Sequence, residues 1–247
     1  MTTRIAAVLW LAMERGVSMV FAADPPGAGK TTILTALLAF ARPDASLYFT
    51  RGWGEQFRLP PPPAADEPPI YLMVNEMSDH LPVYSWGPYV VKAFELAADG
   101  YTLLTTMHAE TVEGVIEQLT DENDVPERLV GHMGLVVPMF VGARDGRRVR
   151  RVSEVAVLEP LGPGYDRHTV ARWNRDDDGW SLMSTPAEIN ALARCMGIDE
   201  DEMMLELAKR EGFLQHLLDS GVMEMEDVQR RVFEHNGYTV LEESGGD

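Results

Sequence analysis

The chain has 247 residues and carries 21 Lys and Arg against 39 Asp and Glu, a formal net charge of −18. That balance argues against a primary nucleic-acid binder or an anionic-membrane binder, since both need basic groups to displace counterions or meet headgroups. The length suits one α/β domain with an appendage, and the one cysteine, Cys195, excludes an intrachain disulfide, fits a cytoplasmic setting and reads as a small core thiol.

At the N-terminus Arg4 precedes the apolar run IAAVLWLAM, which imitates a signal peptide. Glu14 and Arg15 interrupt it, and the next motif comes at once, so a retained segment is expected. Ile5, Val8, Leu9 and Ala12 have helical spacing and predict an amphipathic helix over residues 3–15, closed by Gly16. No stretch holds the roughly twenty apolar residues that a transmembrane helix needs, so direct membrane insertion is not expected.

Residues 17–23 are short and mostly apolar, as a buried strand requires, and residues 33–40 (ILTALLAF) are helix-compatible. Between them DPPGAGKTT has the make-up of a phosphate-binding P-loop. Glycines let backbone N–H groups wrap round phosphates, a lysine reaches the terminal phosphates, and a hydroxyl holds Mg²⁺. Gly27, Ala28, Gly29, Lys30, Thr31 and Thr32 occupy those places, with Thr31 as the metal-side hydroxyl. Asp24 stands where the G-x-x-x-x-G-K-[ST] pattern has its first glycine, and a carboxylate there repels a triphosphate unless it points away.

Further along, residues 46–50 (SLYFT) predict a strand, and the prolines at 60–63 and 68–69 make the next connection stiff and extended. The apolar run at residues 70–74 suits a buried parallel strand with Asn75, Glu76 and Asp79 beyond its end. In open α/β sheets chemistry lies past the carboxyl ends of strands, which brings Glu76 towards bound phosphates. A helix over residues 89–98, a strand over 101–107 with His108 at its tip, and a helix over 111–119 come next. Residues 135–141 and 149–158 read as a β-hairpin about the pair Asp145 and Gly146, and residues 169–173 and 180–183 as a second, shorter one. After Pro186 the pattern is helical: Asp199 can cap a helix with Glu202 three residues on, Gly221 ends it, and residues 225–235 form another, before a frayed end at residues 242–247.

With these elements in order, the chain resembles the secretion ATPase superfamily, the motors of type II and type IV secretion, type IV pili and archaeal flagella. VNEMSD at residues 74–79 looks like that family's Walker B segment, and TLLTTMHAE at 102–110 looks like its histidine box. RRVRRVSEVAVLEP at 147–160 looks like the Arg-rich strand pair that comes after it, and the acidic helical tail is most similar to the archaeal branch. The resemblance implies a RecA-like P-loop core with a mainly parallel sheet, β-hairpin additions and a small C-terminal helical appendage. It divides the chain into an ATPase domain at residues 1–184 and the appendage at 185–247. It further implies ATP and Mg²⁺ as cofactors, Glu76 holding or deprotonating the attacking water, His108 sensing the terminal phosphate, self-association up to a hexamer, and secretion or pilus proteins as partners.

The sequence departs from that pattern in several places. Thr50, Arg51 and Gly52 replace the family's acidic box, leaving Glu55 as the nearest acid. Asn75 and Ser78 flank Glu76 where glycine and arginine stand in the family, Gln118 takes the place of another arginine, and residues 80–88 look inserted. The P-loop begins about two dozen residues from Met1, so the family's N-terminal domain and its arginines are expected to be missing and to be replaced by a partner, or else turnover to be slow. Arg147, Arg148, Arg150 and Arg151 alternate on a hairpin and are expected to make surface ion pairs, with an anion site or arginine finger among them as the alternative, while Arg51 and Arg58 are the candidate cation donors near the nucleotide edge. The sequence thus supports an ATP-hydrolysing motor, with a hydrolysis-poor structural or regulatory subunit as the alternative. A small-molecule kinase fits the P-loop but explains neither the histidine box nor the tail.

Overall fold

The computed structural model describes residues 1–24, 27–64, 67–144 and 146–238. Asp145, half of the expected hairpin turn, and the tail at residues 242–247 lie outside the described residues. In chain order the structure runs α1 (Thr3–Glu14), β1 (Met19–Ala22), α2 (Lys30–Leu37), β2 (Ser46–Phe49), β3 (Ile70–Met77), α3 (Pro88–Ala98), β4 (Thr102–Met107), α4 (Val112–Glu117) and α5 (Glu127–Val130). It continues with β5 (Gly134–Arg144), β6 (Arg147–Val152), β7 (Glu154–Leu161), β8 (Gly164–Trp173), β9 (Trp180–Leu182), α6 (Pro186–Cys195), α7 (Glu200–Asp219) and α8 (Met225–His235).

The sheet has the order β2-β3-β4-β1-β5-β7-β8-β9, with β6 paired to β5 off that path. The five strands from β2 to β5 are mutually parallel, so their carboxyl ends share one edge. Beyond β5 the pairing turns antiparallel. Helices cover both faces. Strand alternation sends Met19 and Phe21 to a core with α1, α2, α6, α7 and α8, while Val20 and Ala22 face a core with α3, α4 and α5. This is the α/β architecture with a mainly parallel sheet that the sequence implies, and the C-terminal helices are present.

Three elements differ from the sequence reading. The expected strand over residues 149–158 is two strands. β6 pairs with Met139–Arg144 of β5, and β7 with the inner part, Gly134–Val136. Pro138 has no N–H to give the ladder, and its carbonyl instead accepts from both the backbone N–H and the hydroxyl of Ser153, at 2.9 Å each, where the chain bends from β6 to β7. Second, β8 starts at Gly164 rather than residue 169, because β7 and β8 form a hairpin that the apolar pattern hides. Third, α1 is buried nearly all round, from Ala7 to Met13, and not along one stripe.

The last difference is caused by the C-terminal helices. α7 packs along the side of α1 that faces away from the sheet, and the contact is partly ionic. Arg210 lies over the Trp10 ring at 5.1 Å, donates to Glu14 Oε2 at 3.1 Å through Nε, and also pairs with Glu206. Asn236 donates to the other oxygen of Glu14. Thr185 and Asp199 cap α6 and α7 by accepting from Glu188 and Glu202 N–H groups. Cys195 is partly buried and packs against the α1-side core, and burial pushes its pKa up to about 12.

Because Arg210 is buried, removing its main counter-charge is costly. Glu14→Ala is expected to destabilise by about 3 kcal/mol in denaturant unfolding. A second outcome concerns His235, whose ring lies 4.3 Å from Phe213. Burial, then Arg210, lowers its pKa from the ordinary 6.5. Below 6.5 the unfolded chain takes up a proton that the fold resists, so stability is full above that pH and declines below it; His235→Gln is expected to flatten that decline in melts from pH 5 to pH 8.

Candidate active site

Because β1, β3 and β4 are adjacent and parallel, the residues just past their carboxyl ends meet at one edge. The P-loop leaves β1 there. Gly27 and Gly29 have φ of 75° and 102°, a region that L side chains avoid, and this left-handed geometry lets the loop curl into α2. Gly29 precedes α2, and among the described residues no side chain caps the N–H groups of its first turn. Ala28 is buried while Thr31 and Thr32 are exposed at that turn. These are the features that phosphate oxygens and a Mg²⁺-bound hydroxyl require, so the residues present fit a Mg-nucleotide.

Lys30 is turned inward. Its Nζ donates to the Ala23 carbonyl at 2.9 Å and lies 3.9 Å from Glu76 Oε2. Burial pulls its pKa below the ordinary value, while Glu76 and then Asp24 pull the other way. Glu76 is reached through a bulge. β3 does not stop at Val74 as its apolar run suggests; Val74 pairs with Thr105 and Met77 with Met107, leaving an extra residue on β3 that re-aims Glu76. The Thr106 hydroxyl fixes the bulge by donating to the Asn75 carbonyl at 2.9 Å.

His108 closes the set. Its Nε2 lies 3.1 Å from Glu76 Oε1, and its Nδ1 lies 3.2 Å from the Asp24 carbonyl oxygen. The two ring nitrogens thus face two oxygens, one from the Glu76 side chain and one from the Asp24 backbone. Lys30, Glu76 and His108 therefore form one connected chain, and Asp24 joins it through its backbone. The Asp24 side chain is exposed, and its charge helps keep Lys30 protonated.

Residues 80–88 are part of the surroundings. Ser85 N–H donates to the Glu76 carbonyl at 3.0 Å, and Ser78 N–H to the Ser85 carbonyl at 3.0 Å, tying the insertion alongside β3. The ring of His80 meets that of His108 edge-on at 5.8 Å, a neighbour that sequence reasoning missed because only its place in an insertion was visible. The insertion is seated on Gly52, where an added Cβ would lie 2.2 Å from the Pro82 carbonyl oxygen. Arg51 and Arg58, the expected cation donors, make no side-chain bond to the P-loop among the described residues.

Glu55, the acid nearest the lost acidic box, is committed elsewhere. It is buried and accepts from the Tyr48 hydroxyl at 2.7 Å and from the backbone N–H groups of Arg51, Gln56 and Phe57. Burial opposes its ionisation, but those hydrogen bonds outweigh it and hold the pKa below the ordinary 4.5. Glu55 thus folds the loop after β2 rather than facing a nucleotide. Glu55→Gln is expected to cost about 1–3 kcal/mol in unfolding while leaving nucleotide binding unchanged in a titration; a carboxylate of the active site would show the reverse.

No family model matches the sequence. Two proteins of Methanocaldococcus jannaschii are similar. Uncharacterized protein MJ1287 is 25% identical over 260 residues, covering 94% of this chain and 93% of that protein. Uncharacterized protein MJ0900 is 25% identical over 206 residues, covering 72% of this chain and 35% of that protein. Among solved structures, the VirB11 ATPase of the Brucella suis type IV secretion system matches with a TM-score of 0.43 and 26% identity over 60% of this chain. The ATPase DotB of Yersinia pseudotuberculosis matches with a TM-score of 0.43 and 14% identity over 92%. The chain spans 50% and 60% of the length of those two structures. The motifs at residues 27–32, 74–79 and 102–110 remain what ties the chain, as a resemblance, to the secretion ATPase superfamily.

Proposed function

We propose that the protein binds ATP with Mg²⁺ and hydrolyses it, coupling nucleotide state to the movement of a partner in a secretion or pilus type of system. The observation that carries this reading is the joining of Lys30, Glu76 and His108, from the P-loop and two later strand ends, within 3.9 and 3.1 Å links. Phosphoryl transfer leaves little covalent chemistry to the protein; it needs cations on the phosphate oxygens and a water held in line. Gly27, Ala28, Gly29, Lys30 and Thr32 would hold the phosphates, and the Thr31 hydroxyl would bind Mg²⁺, which supplies charge neutralisation on the phosphate oxygens. Glu76 can hold or deprotonate the attacking water once Lys30 turns to the nucleotide. His108, already bonded to Glu76, can donate to the terminal phosphate.

Self-association, as a hexamer or a smaller ring, and contact with secretion or pilus machinery belong to the same proposal, as does a cytoplasmic setting. No helix among the described residues is long and apolar enough to cross a membrane. A second reading, a hydrolysis-poor structural or regulatory subunit, has its own support: Lys30 and Glu76 are held by each other, and Glu55 is unavailable as a second acid.

Equilibrium binding of ATP and steady-state phosphate release separate the two. In the motor reading Lys30→Ala abolishes binding, and Glu76→Gln keeps binding while slowing release by about 100-fold or more. His108→Gln also keeps binding but slows release less. Wild-type release no faster than that of Glu76→Gln, with binding intact, contradicts the motor and supports the subunit; absence of binding at millimolar MgATP contradicts both.

A further inference from the structure

β5 is longer than its parallel partner. Leu135–Pro138 pairs with Met19–Ala22 of β1, so the rest of β5, from Met139 to Arg144, projects past the carboxyl edge of the sheet where the P-loop begins. β6 pairs only with that overhang, which hangs its arginines over the phosphate side of the sheet. Strand alternation then divides them. On one face Arg151 forms a two-bond pair with Asp178, at 2.8 and 2.7 Å, the surface ion pair the sequence leads one to expect.

Arg148 and Arg150 share the other face, and they depart from that expectation. Arg150 Nε donates to the Gly27 carbonyl of the P-loop at 2.8 Å. A Cβ on Gly27 would lie 3.2 Å from an Arg148 guanidinium nitrogen, and a Cβ on Gly29 would lie 4.0 Å from Arg150 Cδ. The Arg148 side chain is exposed and makes no hydrogen bond or ion pair among the described residues. Beside the loop lies a cavity of about 470 Å³ whose lining includes Gly27, Gly29, Thr32, Met139, Arg150 and Arg151, with Arg148 outside it. In a chain of net charge −18, two guanidinium groups held over a phosphate cradle, one of them without a counter-charge, are placed for an incoming anion.

We propose that Arg148 and Arg150 form the second wall of the nucleotide's phosphate site and supply its cations from within the same chain. This rests on the nucleotide-binding reading above. The P-loop offers N–H donors and Lys30 from below; the two guanidinium forks offer charge-assisted donors from above. Arg150 reaches the phosphates with the N–H groups not used on Gly27.

The test is a titration with a fluorescent ATP analogue and Mg²⁺, at low and high salt, on the wild type, Lys30→Ala, Arg148→Gln, Arg148→Lys and the Arg148→Gln, Arg150→Gln double variant. Each lost guanidinium contact is expected to weaken binding about tenfold at low salt, to flatten the salt dependence, and in Arg148→Lys to be partly restored. Arg148→Gln removes no bond present in the structure, so its effect reports charge and not folding. If the wild type binds, Lys30→Ala does not, and Arg148→Gln binds as the wild type at both salts, the arginine wall is wrong while nucleotide binding stands. A loss in Arg148→Gln that is equal at both salts and unrescued by lysine also overturns it. A wild type that does not bind overturns both.

Discussion

The site depends on one constraint, that five neighbouring strands run the same way. In a parallel sheet each strand delivers its next residue to the same edge, so segments far apart in sequence meet without any loop having to reach. The order β2-β3-β4-β1-β5 places β4 between β3 and β1, and His108, at the tip of β4, accordingly bridges Glu76 on one side and the Asp24 backbone on the other. A buried ammonium and a largely buried carboxylate in this position are costly singly and tolerable together, because each supplies the other's counter-charge. Binding a phosphate would exchange one counter-charge of Lys30 for another and release Glu76.

The second contribution comes from parts that lie outside the parallel sheet. Pro138 interrupts the β5 ladder and Ser153 fills the gap, so the hairpin bends and β6 runs along the overhanging half of β5. The insertion after β3 does comparable work on the opposite side, with its backbone bonded to that of Glu76 and its Pro82 seated against Gly52. These two additions flank the P-loop edge.

Much of this was legible in the sequence where the physics is local. The glycine-rich loop before α2, the end of β4 at His108, and the caps at Asp199 and Gly221 each have a short-range cause, such as a positive φ or a helix start. What was hidden depends on pairing. The bulge that carries β3 past Val74, the split between β6 and β7, and the early start of β8 are decided by registers with strands distant in the chain. The burial of α1 on all sides required knowing that α7 lies over it. Arg148 and Arg150 looked like partners for surface acids because alternation alone does not say which face of a hairpin meets the P-loop.

The central claim is that one ligand engages the tips of β1, β3 and β4 together. Amide hydrogen exchange of the full chain, with and without a slowly hydrolysed MgATP analogue, tests it directly. Slowed exchange is expected jointly at residues 27–32, 75–79 and 108–110. Protection confined to the P-loop, with the Glu76 and His108 segments unchanged, would contradict the claim.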